Sequence, residues 1–121
     1  MSKRIFVSFP AFFTFSGATI DGVVKQISEG GLIFCCGKRL RMNSRGVIKL
    51  STLDNEPDVS FGGVVIYELL GGKRKEIMWK YGMRFVDMDG AGAEALSRIF
   101  RYAALRETYR SKTRPEGGEI A

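Results

Sequence analysis

The fold this sequence predicts is mainly β: a six-stranded antiparallel barrel with one C-terminal α-helix. Three observations predict it. Apolar residues alternate with period two over long stretches up to Val86. Short turn signals rich in glycine or acidic residues interrupt that alternation at regular intervals. After Asp87-Met88-Asp89-Gly90 the period becomes helical, with Leu96, Ile99, Phe100 and Ala103 recurring on one face. At 121 residues and 45% hydrophobic composition, the chain supports one folded core. The single domain is expected over 4–110, followed by a flexible tail over 111–121 that contains Pro115-Glu116-Gly117-Gly118.

The first strand is expected over Ile5–Phe15, where every odd position is apolar and the even ones are mixed. Pro10 within it implies an edge or a bulge. Its aromatics fall mostly on the uniformly apolar face, which reads as core and not as a base-stacking platform. Ser16-Gly17 breaks the run and Thr19–Ile27 resumes it. Glu29-Gly30-Gly31 is a turn, Leu32–Cys36 a short apolar strand, and Gly37–Arg45 a basic connection. Val47–Ser51 makes the fourth strand, and the acidic turn Asp54–Asp58 follows it. Val59–Leu70 runs into Gly71-Gly72, and the chain returns from Arg74 to Val86. On the return Ile77, Trp79, Tyr81, Met83 and Phe85 share one face, and Glu76, Lys80, Gly82 and Arg84 the other. The helix has acids before it and arginines toward its end, as the macrodipole prefers, and is expected to cover an open barrel end or an edge gap.

Two absences narrow the chemistry. Without histidine, the chain lacks the commonest general base at neutral pH and the commonest zinc ligand. Its two cysteines are the neighbours Cys35 and Cys36, which cannot form a spaced metal knuckle and would strain if bridged. They read as small buried thiols in a reducing compartment. Hydrolase triads, zinc sites and disulfide scaffolds are excluded on this reading, and no enzyme activity, metal or cofactor is expected. No apolar run approaches the length of a membrane span, and the start of the chain lacks a leader-like apolar core, so a cytoplasmic protein is expected.

Charge is uneven. The net charge is +6, and residues 1–50 carry all of it: Lys3, Arg4, Lys25, Lys38, Arg39, Arg41, Arg45 and Lys49 stand against Asp21 and Glu29. An anionic partner fits this imbalance.

The segment Gln26-Ile27-Ser28-Glu29-Gly30-Gly31-Leu32 lies where the second strand turns into the third. A serine hydroxyl beside two glycines lets a phosphate approach backbone amides closely. Arg4, at the start of the first strand, can reach the same barrel end with a planar fork suited to phosphate or guanine.

These segments resemble the PilZ domain family, bacterial receptor modules for cyclic di-GMP. The likeness spans about residues 4–105. RIFVSFPA resembles the family's opening strand, GVVKQISEGGLIF its (D/N)-x-S-x-x-G segment, and YGMRFVDMD its closing strand before the helix. The resemblance implies a six-stranded PilZ-like β-barrel with a C-terminal helix, no enzymatic activity, and cyclic di-GMP bound across the barrel surface and N-terminal arginines. Arg4 matches the second arginine of the family's Arg-x-x-x-Arg pair, whose first position would fall ahead of Met1; Lys3 lies nearby. Gln26 stands at the Asp/Asn position, Ser28 and Gly31 match, and Gly30 lies between them. Gly82 falls where the family often brings its backbone close to a guanine. Arg41-x-x-x-Arg45, Arg106-x-x-x-Arg110 and Arg110-x-x-x-Arg114 match the arginine spacing but lie elsewhere in the chain. Arg106 and Arg110 share one helical face, which makes them candidate accessory groups.

Two functions fit these residues. One is a cyclic di-GMP-responsive effector that relays the second messenger to a protein partner in motility, adhesion or exopolysaccharide control. The alternative is an adaptor that has lost the nucleotide and acts through protein contacts alone, on a pilus or flagellar component. A nucleic-acid-binding barrel is a weaker third reading, because Trp79 and Tyr81 fall on the core-like face, away from Lys80 and Arg84.

Overall fold

A computed structural model of the chain describes residues 4–52, 57–69 and 78–113, with side chains described as far as residue 105. Six strands, β1 (Arg4–Phe15), β2 (Ala18–Ser28), β3 (Gly31–Cys36), β4 (Arg45–Leu50), β5 (Val59–Leu69) and β6 (Trp79–Val86), precede one helix, α1 (Gly90–Thr113). The strands close into a barrel in the order β1-β2-β3-β6-β5-β4, with every pair antiparallel. Closure leaves no edge gap for the helix to cover, so α1 serves an end. The turn expected at Gly71-Gly72 and the segment from Arg74 to Ile77 lie outside the described residues, as do Asp54–Glu56. The helix continues to Thr113, three residues past the expected boundary of the tail.

β1 keeps its period-two pattern throughout, with Phe9, Ala11 and Phe13 in the core and Phe6 and Phe12 pointing outward. Pro10 costs the sheet nothing. Its carbonyl accepts the Ser51 N–H at 3.0 Å, and the pairing with β4 begins only at Ala11, so the missing donor falls where that ladder has run out. Ser16 and Gly17 both take positive φ (46° and 79°), the backbone of the two-residue turn that suits a twisted hairpin.

β2 contains the irregularity that shapes the outer wall. Its pairing shifts between Val24 and Gln26 against β3, and at the same level against β1. Val24 and Ile27 are both fully buried although three residues apart, a spacing that a regular strand cannot put on one face. The phase break at Lys25 returns Ile27 to the core and leaves Gln26 and Ser28 on the outer wall.

Both barrel ends are filled. At one, the 37–44 connection crosses over the core with Leu40 buried, and the Leu40 N–H donates to the hydroxyl of buried Tyr81 at 2.7 Å. Trp79 packs against the core beside it, with the Arg39 guanidinium 4.9 Å above its ring; Arg39 also meets Glu68 at 3.4 Å. At the other end α1 contributes Ala95, Leu96 and Ile99 to the core. Asp89 caps this helix, its Oδ1 accepting the Gly92 N–H at 2.8 Å.

Cys35 and Cys36 are both free and both buried. Cys36 belongs to the core and donates to the Lys38 carbonyl at 3.1 Å, whereas Cys35 lies opposite Val23 and Lys80. Burial pushes both thiols above their ordinary 9.0 and the Tyr81 phenol above its ordinary 10.0. Groups whose acidity is weakened by folding hold their protons longer in the native state than in the unfolded one. Stability from them is therefore complete below the unfolded values and drains away as pH climbs through the folded ones. Urea midpoints are expected to be flat from neutral pH to about 9 on this account and to fall above it. In native buffer both thiols should resist a disulfide-exchange reagent that labels them promptly in urea.

Candidate functional site

The phase break in β2 sets the geometry. It places Gln26 opposite outward Phe6 of β1 and Ser28 opposite Arg4. The chain then reverses through Glu29-Gly30 into β3, which pairs with β6 so that Gly31 faces Arg84 and Ile33 faces Gly82. On the outer wall these contacts enclose an open depression of about 230 Å³, whose lining includes Arg4, Gln26, Ser28, Gly30, Gly31 and Arg84. Its lining holds two arginines and no carboxylate, and neither arginine has an acidic partner among the described residues. The depression is thus a positively charged surface bordered by a glycine hairpin.

The hairpin is fixed from two sides. The Ser28 hydroxyl donates to the Gly31 carbonyl at 3.3 Å, and the Phe85 N–H of β6 donates to the Gly30 carbonyl at 2.9 Å. The two glycines differ in kind. A Cβ at Gly31 would collide with the Met83 carbonyl, so only glycine allows β3 and β6 to approach this closely. A Cβ at Gly30 would meet nothing, and Gly30 is not among the glycines with positive φ. The backbone itself does not require glycine at position 30.

Five expected site residues, Arg4, Gln26, Ser28, Gly30 and Gly31, thus line one depression. Gly82 sits beside it under the Tyr67 ring, which a Cβ at Gly82 would penetrate. Lys3 lies outside the described residues, and the side chains of Arg106 and Arg110 are not described. No residue of α1 appears in the lining. Arg41 and Arg45 lie elsewhere: Arg41 belongs to the 37–44 connection, where its carbonyl accepts the Ser44 hydroxyl at 2.8 Å, and Arg45 pairs with Asp87 at 3.3 Å.

Among the lining groups that the sequence reading missed are Arg84 and Tyr67. Arg84 was legible as a neighbour of Gly82 on the same face of β6, but its position opposite Gly31 depends on a pairing between strands remote in sequence. Tyr67 reaches the depression because the β5–β6 register shifts between Val65 and Tyr67, which no sequence signal marked.

A closed six-stranded barrel with a cationic, hairpin-edged depression on its wall has the form of a small ligand-receiving module. The chain belongs to the PilZ domain family, whose model matches residues 1–102. Among solved structures it is similar to the PilZ domain of YcgR from Escherichia coli, solved with c-di-GMP. That match has a TM-score of 0.72 at 16% identity and covers 93% of this chain and 96% of that one. It is also similar to Escherichia coli YcgR in complex with c-di-GMP (TM-score 0.69, 17% identity, 92% of this chain and 47% of that one). A third likeness is to the Bacillus subtilis inhibitor of motility MotI/DgrA (TM-score 0.68, 13% identity, 91% and 51%). The chain spans about half the length of the latter two, and at these identities the likeness carries the fold alone. No curated protein matches the chain significantly.

Proposed function

We propose that this PilZ-domain protein is a non-enzymatic cytoplasmic effector that binds cyclic di-GMP in the depression between β1, β2, β3 and β6 and relays its occupancy to a protein partner. Motility, adhesion and exopolysaccharide control are the processes in view. The observation that carries the reading is the convergence of Arg4, Arg84, Gln26, Ser28, Gly30 and Gly31 on one depression whose lining holds no carboxylate. Two guanidinium forks suit phosphate oxygens or a guanine edge, and Gln26 offers an amide donor and acceptor to a base. The depression is open to solvent, so a dinucleotide lying across the barrel wall would leave its outer side available to a partner. That two similar solved structures are described as complexes with c-di-GMP supports the ligand, and the motility inhibitor supports the process.

One observation favours the adaptor reading. Gly31 is required by its contact with Met83, and Ser28 holds the turn by its bond to Gly31, so both have roles in the fold without any ligand. Gly30 separates the readings because nothing in the fold demands it. Calorimetric titration of wild type and Gly30→Ala with cyclic di-GMP, with GTP as control, is the test. The effector reading expects cyclic di-GMP binding in the wild type and at least about tenfold weaker binding in Gly30→Ala, with melting unchanged. No heat from the wild type at high micromolar ligand would establish the adaptor.

A further inference from the structure

We infer that Phe6 is a base-stacking wall of this site, an inference that rests on the nucleotide-binding reading above. Most of the aromatics of β1 face the core, as the sequence pattern predicts, but Phe6 is turned out of the barrel with 82% of its surface exposed. Single exposed apolar side chains are ordinary on protein surfaces, so exposure alone means little. Its neighbours give it meaning. Phe6 lies directly opposite Gln26, whose side chain lines the depression, and shares the outer face of β1 with Arg4 two residues earlier. Directly opposed residues on one face have their Cβ atoms about 5 Å apart, and alternate residues along a strand lie about 7 Å apart.

A planar ring thus stands at the margin of a surface that otherwise offers cations, an amide and a hydroxyl. Polar groups can hold phosphates and read a base edge, but they provide no flat apolar face for the base itself. Phe6 supplies that face beside Gln26, and Tyr67 closes the far side of the same wall beyond Ile33 and Gly82. The arrangement selects a ligand that joins an anionic backbone to a planar base, and a free phosphate or pyrophosphate would leave the ring unused.

The test compares cyclic di-GMP affinity of wild type, Phe6→Ala, Phe6→Leu, Phe6→Tyr and Arg4→Ala. Phe12→Ala is the control, because Phe12 is also turned outward on β1 (48% exposed) but six residues away and opposite Asp21 and Lys49. Truncation of a stacking aromatic should weaken binding roughly 5- to 150-fold in Phe6→Ala. Phe6→Leu, which keeps apolar bulk without a ring plane, should lose nearly as much, Phe6→Tyr should bind almost as wild type, and Phe12→Ala should not change affinity. In NMR spectra the guanine H8 proton should shift upfield on binding to wild type and not to Phe6→Leu. Wild-type affinity in Phe6→Ala, with binding lost in Arg4→Ala, would overturn the stacking role and leave the site standing. Equal loss in Phe12→Ala would also overturn it, by assigning the effect to the strand and not the ring. Absence of binding in the wild type would remove the site and this inference together.

Discussion

An Arg4→Ala/Arg84→Ala double variant is expected to bind cyclic di-GMP at least about a hundredfold more weakly than wild type, with its unfolding midpoint almost unmoved. Hydrogen bonds to charged groups contribute about 1.5–3 kcal/mol each, and two such contacts account for a loss of that size. Both side chains are exposed, and neither pairs with an acid among the described residues, so their removal leaves no buried charge behind. Exposed substitutions of this kind shift stability by about 0.5 kcal/mol or less. The two single variants should divide the loss, and the wild-type affinity should fall with added salt more steeply than that of the double variant. Calorimetry at two ionic strengths measures all of this, and unchanged affinity in the double variant would move the ligand elsewhere on the molecule.

Phe34→Ala is expected to destabilise the fold by about 3–5 kcal/mol, a large share of the roughly 5–15 kcal/mol available to a domain of this kind. Phe34 is completely buried and lies opposite Val24 on one side and Tyr81 on the other. Its ring stands 6.3 Å from that of Phe13 and occupies the space that the absent side chain of Gly22 leaves open. No neighbour can close such a gap without breaking strand register. Urea denaturation followed by far-ultraviolet circular dichroism gives the magnitude. Because Ile33, the preceding residue, lines the depression, the same variant should also bind nucleotide more weakly wherever it is partly loosened.

The sequence revealed those parts of the fold that depend on local pattern. The alternation of β1, the Ser16-Gly17 turn, the hairpin at Gly30 and the change of period at Gly90 are each written within a few neighbouring residues. Strand order was not, because the pairing of β3 with β6 and of β1 with β4 joins segments far apart in the chain. The same division runs through the candidate site. Arg4, Gln26, Ser28, Gly30 and Gly31 were visible because one strand start and one hairpin contain them all. Arg84 and Tyr67 come from strands brought alongside only when the barrel closes. The alternation of β1 already put Phe6 on the mixed face, away from the core, but its place opposite Gln26 is visible only in the strand register.

The placement of Trp79 has an optical consequence. It is the only tryptophan in the chain, and it lies under Arg39 at the end of the barrel sealed by Leu40, five residues along β6 from Arg84. Its emission therefore reports on that sealed end, about 16 Å along the strand from the cationic depression. A ligand that merely occupies the depression leaves its spectrum unchanged. Any shift in emission wavelength when nucleotide is added to the unlabelled protein would be a direct sign that occupancy of the wall is transmitted along β6 to the far end.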